Sequence, residues 1–180
     1  MADTLQQLLR ERAEQDSVAV KCGDRSWTWR EHIVDANAEA AALIAMAEPG
    51  RVLHVGVLLG NSPEMLIALA AAALGGYVLC GINTTRRGEA LARDIAKVEC
   101  QFLITDAEHR QRLDGLDLPG VMVFDTSTAQ WADLLAKAPP LTPHREVGAD
   151  DTFMMIFTSG TSGDPKAVQV ANLMVLFAGN

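Results

Sequence analysis

The residues best suited to chemistry cluster in one short stretch, residues 154–170, MMIFTSGTSGDPKAVQV. Four hydroxyls (Thr158, Ser159, Thr161 and Ser162), two glycines (Gly160 and Gly163) and one lysine (Lys166) stand within nine positions. The glycines can adopt positive φ and present backbone N–H groups with no Cβ in the way. Successive exposed amides make an anion-binding concavity, and the hydroxyls add donors to it. Lys166 brings a positive charge on a long stem, which suits a polyphosphate, and Pro165 stiffens the loop exit just before it. Each hydrogen bond to a charged oxygen contributes roughly 1.5–3 kcal/mol, so several together could hold a nucleotide tail. The same composition also describes an ordinary hairpin or linker with Asp164-Pro165 as its breaker, and composition alone leaves both readings standing.

The flanks must position this loop. Residues 153–157 are an apolar run that reads as a buried strand, and the alternation Ala167-Val168-Gln169-Val170 reads as a second strand. The loop is not a Walker A motif, which needs glycine before its lysine and a helix after it. Nor is Ser159 or Ser162 a hydrolase nucleophile: the Gly160-to-Gly163 spacing is not GxSxG, and no assignable acid–histidine pair follows. The histidines His32, His54, His109 and His144 are scattered with no ligand spacing and read as surface or core groups.

At 180 residues with 49% hydrophobic content, the chain can build one domain with a sizeable core. A net charge of −8 without a Lys/Arg cluster argues against a general nucleic-acid binder. Cys22, Cys80 and Cys100 are odd in number and lack CxxC spacing, as expected of reduced cytosolic thiols rather than a disulfide frame or zinc site. The first residues show no signal peptide. Residues 65–82 carry no charge, but Gly75-Gly76 splits them and a β-like run follows. They read as a buried helix and then a buried strand, not a membrane span.

In chain order, residues 3–14 read as a short amphipathic helix capped by Asp3 or Thr4. Residues 18–22 and 26–29 read as a hairpin around Gly23-Asp24. Thr28 with Glu31 forms a capping box for a helix from Trp29 to about Ala47, with Trp27 and Trp29 as packing residues. Strands are expected over 52–59, 77–82, 101–105 and 121–124. Helices are expected over 63–73, with Pro63 at the first position, over 87–98, and over 126–136 around Trp131. Residues 109–112 read as a helical surface, and residues 137–151 as an extended connector. Alternation of strand and helix at this spacing argues a parallel sheet with helices on both faces. The stretch GVLLGNSPE lacks GxGxxG, so NAD is not expected.

The full string from Thr158 to Lys166 resembles the phosphate-binding loop of the adenylate-forming enzymes, [ST]SGTTGxPKG. Thr158, Ser159, Gly160, Thr161, Gly163, Pro165 and Lys166 match; Ser162 keeps the hydroxyl of the usual threonine, and Ala167 replaces the usual glycine. GDRSWTWREH resembles the hairpin-to-helix opening of acyl-CoA synthetases. INTTRRGEAL, residues 82–91, resembles a stretch of the very-long-chain acyl-CoA synthetase group, whose members activate long-chain or bulky polycyclic acids such as steroid acids. Without that resemblance it reads as a strand end, a polar turn and a helix start, with Arg86 and Arg87 solvated.

The resemblance implies an α/β fold: the N-terminal subdomain of the adenylate-forming fold, a mostly parallel sheet flanked by helices with a small N-terminal hairpin. It implies residues 1–180 as the N-terminal part of an AMP-binding domain, ending just after the loop, with the apolar tail 171–180 awaiting cover. It implies ATP, Mg2+ and CoA as cosubstrates of the complete enzyme and a long-chain fatty or steroid-type carboxylic acid as substrate. ATP phosphates would be bound by Thr158, Ser159, Gly160, Thr161, Ser162, Gly163 and Lys166, with no catalytic residue and no metal ligand within 1–180. A cytoplasmic location is expected, with peripheral membrane association and a homodimer left open. The family's HRN-like element after the loop is reduced here to Asn172 at most, which leaves the geometry beyond Lys166 open. Two other readings stand beside this one: a non-catalytic nucleotide- or partner-binding protein, and an amino-acid adenylation domain.

Overall fold

The structure, a computed structural model, describes residues 2–158 and 165–178. Helix α1 (Leu5–Arg10) starts at the Thr4 side chain, which accepts from the Gln7 N–H. It is shorter than the periodicity predicts, because Arg12 N–H bonds back to the Leu9 carbonyl and the chain tightens into turns. Strands β1 (Val18–Cys22) and β2 (Arg25–Thr28) form the expected antiparallel hairpin. Helix α2 (Trp29–Met46) begins with a complete capping box: Thr28 N–H donates to Glu31 Oε2 at 2.8 Å, and Glu31 N–H donates back to Thr28 Oγ1 at 3.2 Å.

The main sheet then builds from β3 (His54–Leu58), β4 (Val78–Gly81), β5 (Phe102–Thr105), β6 (Met122–Asp125), β7 (Thr152–Thr158) and β8 (Lys166–Ala171). Its order is β6-β5-β3-β4-β7-β8, parallel throughout except for β8, which pairs antiparallel with β7. The crossovers are α3 (Pro63–Gly75), α4 (Gly88–Lys97), the short α5 (Ala107–Arg110) with a 3-10 turn, and α6 (Ala129–Ala136); α7 (Asn172–Ala178) follows β8. Among the described residues no helix is long and apolar enough to cross a membrane.

Two cores lie on the two faces of the sheet. The first gathers α1, α2, α3 and α6 around Leu43, Val55, Leu79, Phe102 and Trp131. The second gathers α4 and the 3-10 turn around Leu58, Leu91, Ile95 and Leu103. Helix α3 is rich in alanine because it packs closely on α2. A Cβ on Gly75 would stand 2.7 Å from the Tyr77 ring and 3.2 Å from Ala40 Cβ. Gly76 ends the helix in the left-handed region at φ 72, where the Arg145 carbonyl occupies the place of a side chain.

The connector 137–151 has no regular structure, yet it is tied down. Gln6 Nε2 donates to the Leu74 and Arg145 carbonyls, Gln6 Oε1 accepts from Val147 N–H, and Arg10 makes a two-pronged ion pair with Glu146. Two other sequence expectations need correction. His109 is buried (4% exposed), not part of a helical surface, because its ring turns inward to Asp106. Arg86 is engaged rather than solvated, its Nε donating to the buried Asp94 at 3.1 Å; Arg87 stays exposed, with Nη1 donating to the Thr84 and Arg86 carbonyls of its own turn.

Two buried polar groups stand apart from these networks. Glu39 is 2% exposed, and among the described residues its Oε1 finds no hydrogen-bond partner; the buried Tyr77 hydroxyl finds none among them either. Burial pushes the Glu39 carboxyl up to about 8. Burial and the neighbouring Glu39 push the Tyr77 phenol well above its ordinary value.

Candidate functional site

The loop after β7 belongs to a hairpin, not to a strand–helix turn. Register pairs Met154 with Val170, Ile156 with Val168, Phe157 with Ala167 and Thr158 with Lys166. The first hydroxyl and the lysine of the motif therefore face each other as the last strand pair, and both side chains are exposed. Ser159, Gly160, Thr161, Ser162 and Gly163 lie outside the described residues. The apolar run that reads as a buried strand is half-buried on alternating sides: Phe157 and Ala167 pack toward the second core, while Ile156 and Val168 stay 42% and 41% exposed.

The sheet fixes where this hairpin sits. Because β7 runs parallel to β4, Thr158 leaves at the carboxyl edge, the side where open α/β sheets hold their ligands. The chain leaves β3 toward β4 on one side and later returns to β5 on the other, so the strand order reverses between β3 and β5. The same edge carries other ordered turns. Asn83 Oδ1 accepts from the Thr85 N–H and hydroxyl, both at 2.8 Å, and the Thr84 carbonyl receives Arg112 as well as Arg87.

Asp106, just past β5, caps α5 and receives His109 Nδ1 at 2.6 Å. Burial pushes the Asp106 carboxyl up, but hydrogen bonds from the His109 ring, His109 N–H and Gly60 N–H outweigh it, and the group ends below its usual range. The pair clamps the β3 and β5 exits together. The sequence gives no sign of it, because His109 and Gly60 meet only in three dimensions.

Beyond Lys166, Asn172 is 1% exposed. Its Oδ1 accepts from Leu5 N–H and its Nδ2 donates to the Asp151 carbonyl, so it fastens α7 to α1 and the connector. The residue left of the HRN-like element is thus a structural clasp. Cys80 and Cys100, far apart in sequence, meet in the second core as buried free thiols, and their mutual hydrogen bond with burial raises the Cys100 thiol well above its ordinary value. An apolar cavity of about 290 Å³ opens on the other face between α1, β1 and α3, lined by Leu9, Val20, Trp29, His32, Leu69 and Phe153. Its nearly all-carbon lining is unsuited to a polyphosphate.

The chain belongs to the AMP-binding enzyme family, which it matches over residues 9–178. It is 42% identical over 179 residues to the medium/long-chain-fatty-acid--CoA ligase FadD17 of Mycobacterium tuberculosis, covering 98% of this chain and 34% of that protein. It is 36% identical over 173 residues to the steroid-22-oyl-CoA synthetase of Rhodococcus jostii, covering 92% of this chain and 30% of that protein. The fold superposes on a Mycobacterium tuberculosis fatty acyl CoA synthetase with a TM-score of 0.79 at 23% identity, over 94% of this chain and 35% of that one. The chain thus spans about a third of the length of the curated relatives it matches.

Proposed function

We propose that this chain forms the N-terminal part of an ATP-dependent acid–CoA ligase and supplies its grip on the β- and γ-phosphates. The observation that carries the reading is the pairing of Thr158 with Lys166 at the base of the loop, at the carboxyl edge of the sheet, in a chain of the AMP-binding family. In the complete enzyme a carboxylate attacks the α-phosphorus of ATP, the bond to the bridging oxygen breaks, and acyl-AMP and pyrophosphate form. The thiol of CoA then displaces AMP. Both partners of the first step are anions, so positioning and charge neutralisation carry it. Residues 158–163 cradle the leaving pyrophosphate, and Lys166 offsets its growing charge.

The described residues gather no set of three acidic, imidazole or thiol ligands. Their donors suit phosphate oxygens, and Mg2+ would arrive bound to ATP. The substrate we propose is a long-chain fatty or steroid-type acid. The support is the family together with ligase and synthetase names of those kinds among the relatives. The proposal extends to a cytoplasmic enzyme; peripheral membrane association and a homodimer are tested by vesicle flotation and sedimentation.

ATP–pyrophosphate exchange tests the reading. The 180-residue chain alone is expected to show no exchange, and robust exchange by it would refute the claim that further parts are needed. The complete enzyme is expected to exchange label when given long-chain or steroid acids. Exchange driven by amino acids instead would favour an amino-acid adenylation domain.

A further inference from the structure

The last residue of α4 reaches the exit of the loop. Lys97 Nζ donates to the Pro165 carbonyl at 2.8 Å, across 68 positions of sequence. A lysine in the last turn of a helix has an ordinary role, since its charge complements the helix dipole. Here the ammonium is also spent on a partner outside the helix. That partner is informative because a peptide unit is planar: holding the Pro165 carbonyl also orients the N–H of Lys166, where β8 begins.

The contact does not stand alone. Leu91, Ile95 and Val98 of the α4 region are buried in the second core, and Phe157 and Ala167, the strand pair next to Thr158 and Lys166, pack against that same core. The helix and the base of the hairpin are thus docked through carbon, and Lys97 adds a polar latch one residue outside the dock. Arg86, just ahead of α4, also braces the helix through the buried Asp94, three residues before Lys97.

We infer that Lys97 is a positioning residue for the phosphate loop: it tethers the Pro165–Lys166 peptide to α4 so that Lys166 meets the polyphosphate from a fixed start. This rests on the phosphate-loop reading above. Lys97 itself touches no reacting atom; it reduces the freedom that Lys166 would otherwise lose on binding.

The test uses the purified complete enzyme, inorganic pyrophosphate as the probe at fixed ionic strength, and three variants. Lys97→Met keeps the stem and loses the donor, Lys97→Arg keeps a donor, and Lys166→Ala removes the proposed phosphate contact. Two readouts are taken: pyrophosphate affinity by calorimetry, and hydrogen exchange of the amides at residues 166–168 in the free enzyme. The expected result is faster exchange and about tenfold weaker binding in Lys97→Met, both restored in Lys97→Arg, with unchanged global unfolding. Unchanged exchange in Lys97→Met overturns the tether. Faster exchange with unaltered affinity overturns the positioning role. If the unmodified enzyme and Lys166→Ala both fail to bind pyrophosphate, the phosphate-loop reading fails and the positioning role falls with it. The exchange data then still report on the tether by itself.

Discussion

Glu39 sets the pH response at the scale of a single residue. Its carboxyl is buried with an oxygen that has no partner among the described residues, and burial moves it from about 4.5 in the open chain to about 8 in the fold. The folded state therefore holds a proton that the unfolded state releases in that window. The stability contributed by the neutral form is complete below about pH 4.5, declines as pH rises, and is gone above about pH 8. The slope is at most about 1.4 kcal/mol per pH unit for one group. Glu39→Gln keeps the shape without the ionisation. Urea unfolding across this range is expected to show a falling stability for the unmodified chain that flattens in the variant. An equal slope in both would contradict the burial of an ionisable Glu39.

The elements themselves were the most legible part of the sequence. The Thr28/Glu31 capping box, Pro63 at the start of α3, and the split at Gly75-Gly76 each act within a few residues, so the local chain announces them. Thr28→Ala removes the acceptor for Glu31 N–H and is expected to cost about 1 kcal/mol. Thermal unfolding would read this as a lowered Tm, and an unchanged Tm would show that the cap contributes nothing in this context. What the sequence concealed depends on which groups the fold turns toward one another. His109 reads as surface until Asp106 and the β3 exit close over it. Arg86 reads as solvated until α4 brings Asp94 beneath it. Lys97 carries no signal at all, because its partner stands 68 positions away. The site divides in the same way. The motif names Thr158 and Lys166, and only strand register shows that they face each other.

At the scale of the whole molecule, the sheet separates two tasks. One face holds α1, α2, α3 and α6 over the larger core, with the connector strapped across by Gln6, Arg10 and Arg145. The other face carries α4 and the docked side of the β7–β8 hairpin. The hairpin's outer side shows Ile156 and Val168, and α7 shows Met174 and Phe177 at 60% and 71% exposure. The proposed phosphate loop thus leaves from the carboxyl edge of the sheet in a chain of the AMP-binding family, and Lys166 would supply positive charge locally despite the net −8 of the chain. The most direct measurement compares the two half-reactions of the complete enzyme carrying Lys166→Ala. Acid-dependent formation of acyl-AMP from ATP is expected to slow by about 10–100-fold, the equivalent of losing one charged hydrogen bond. Thioester formation from supplied acyl-AMP should stay close to its unmodified rate, since no pyrophosphate leaves in that step. Equal slowing of both half-reactions would contradict a role for Lys166 on the leaving phosphates.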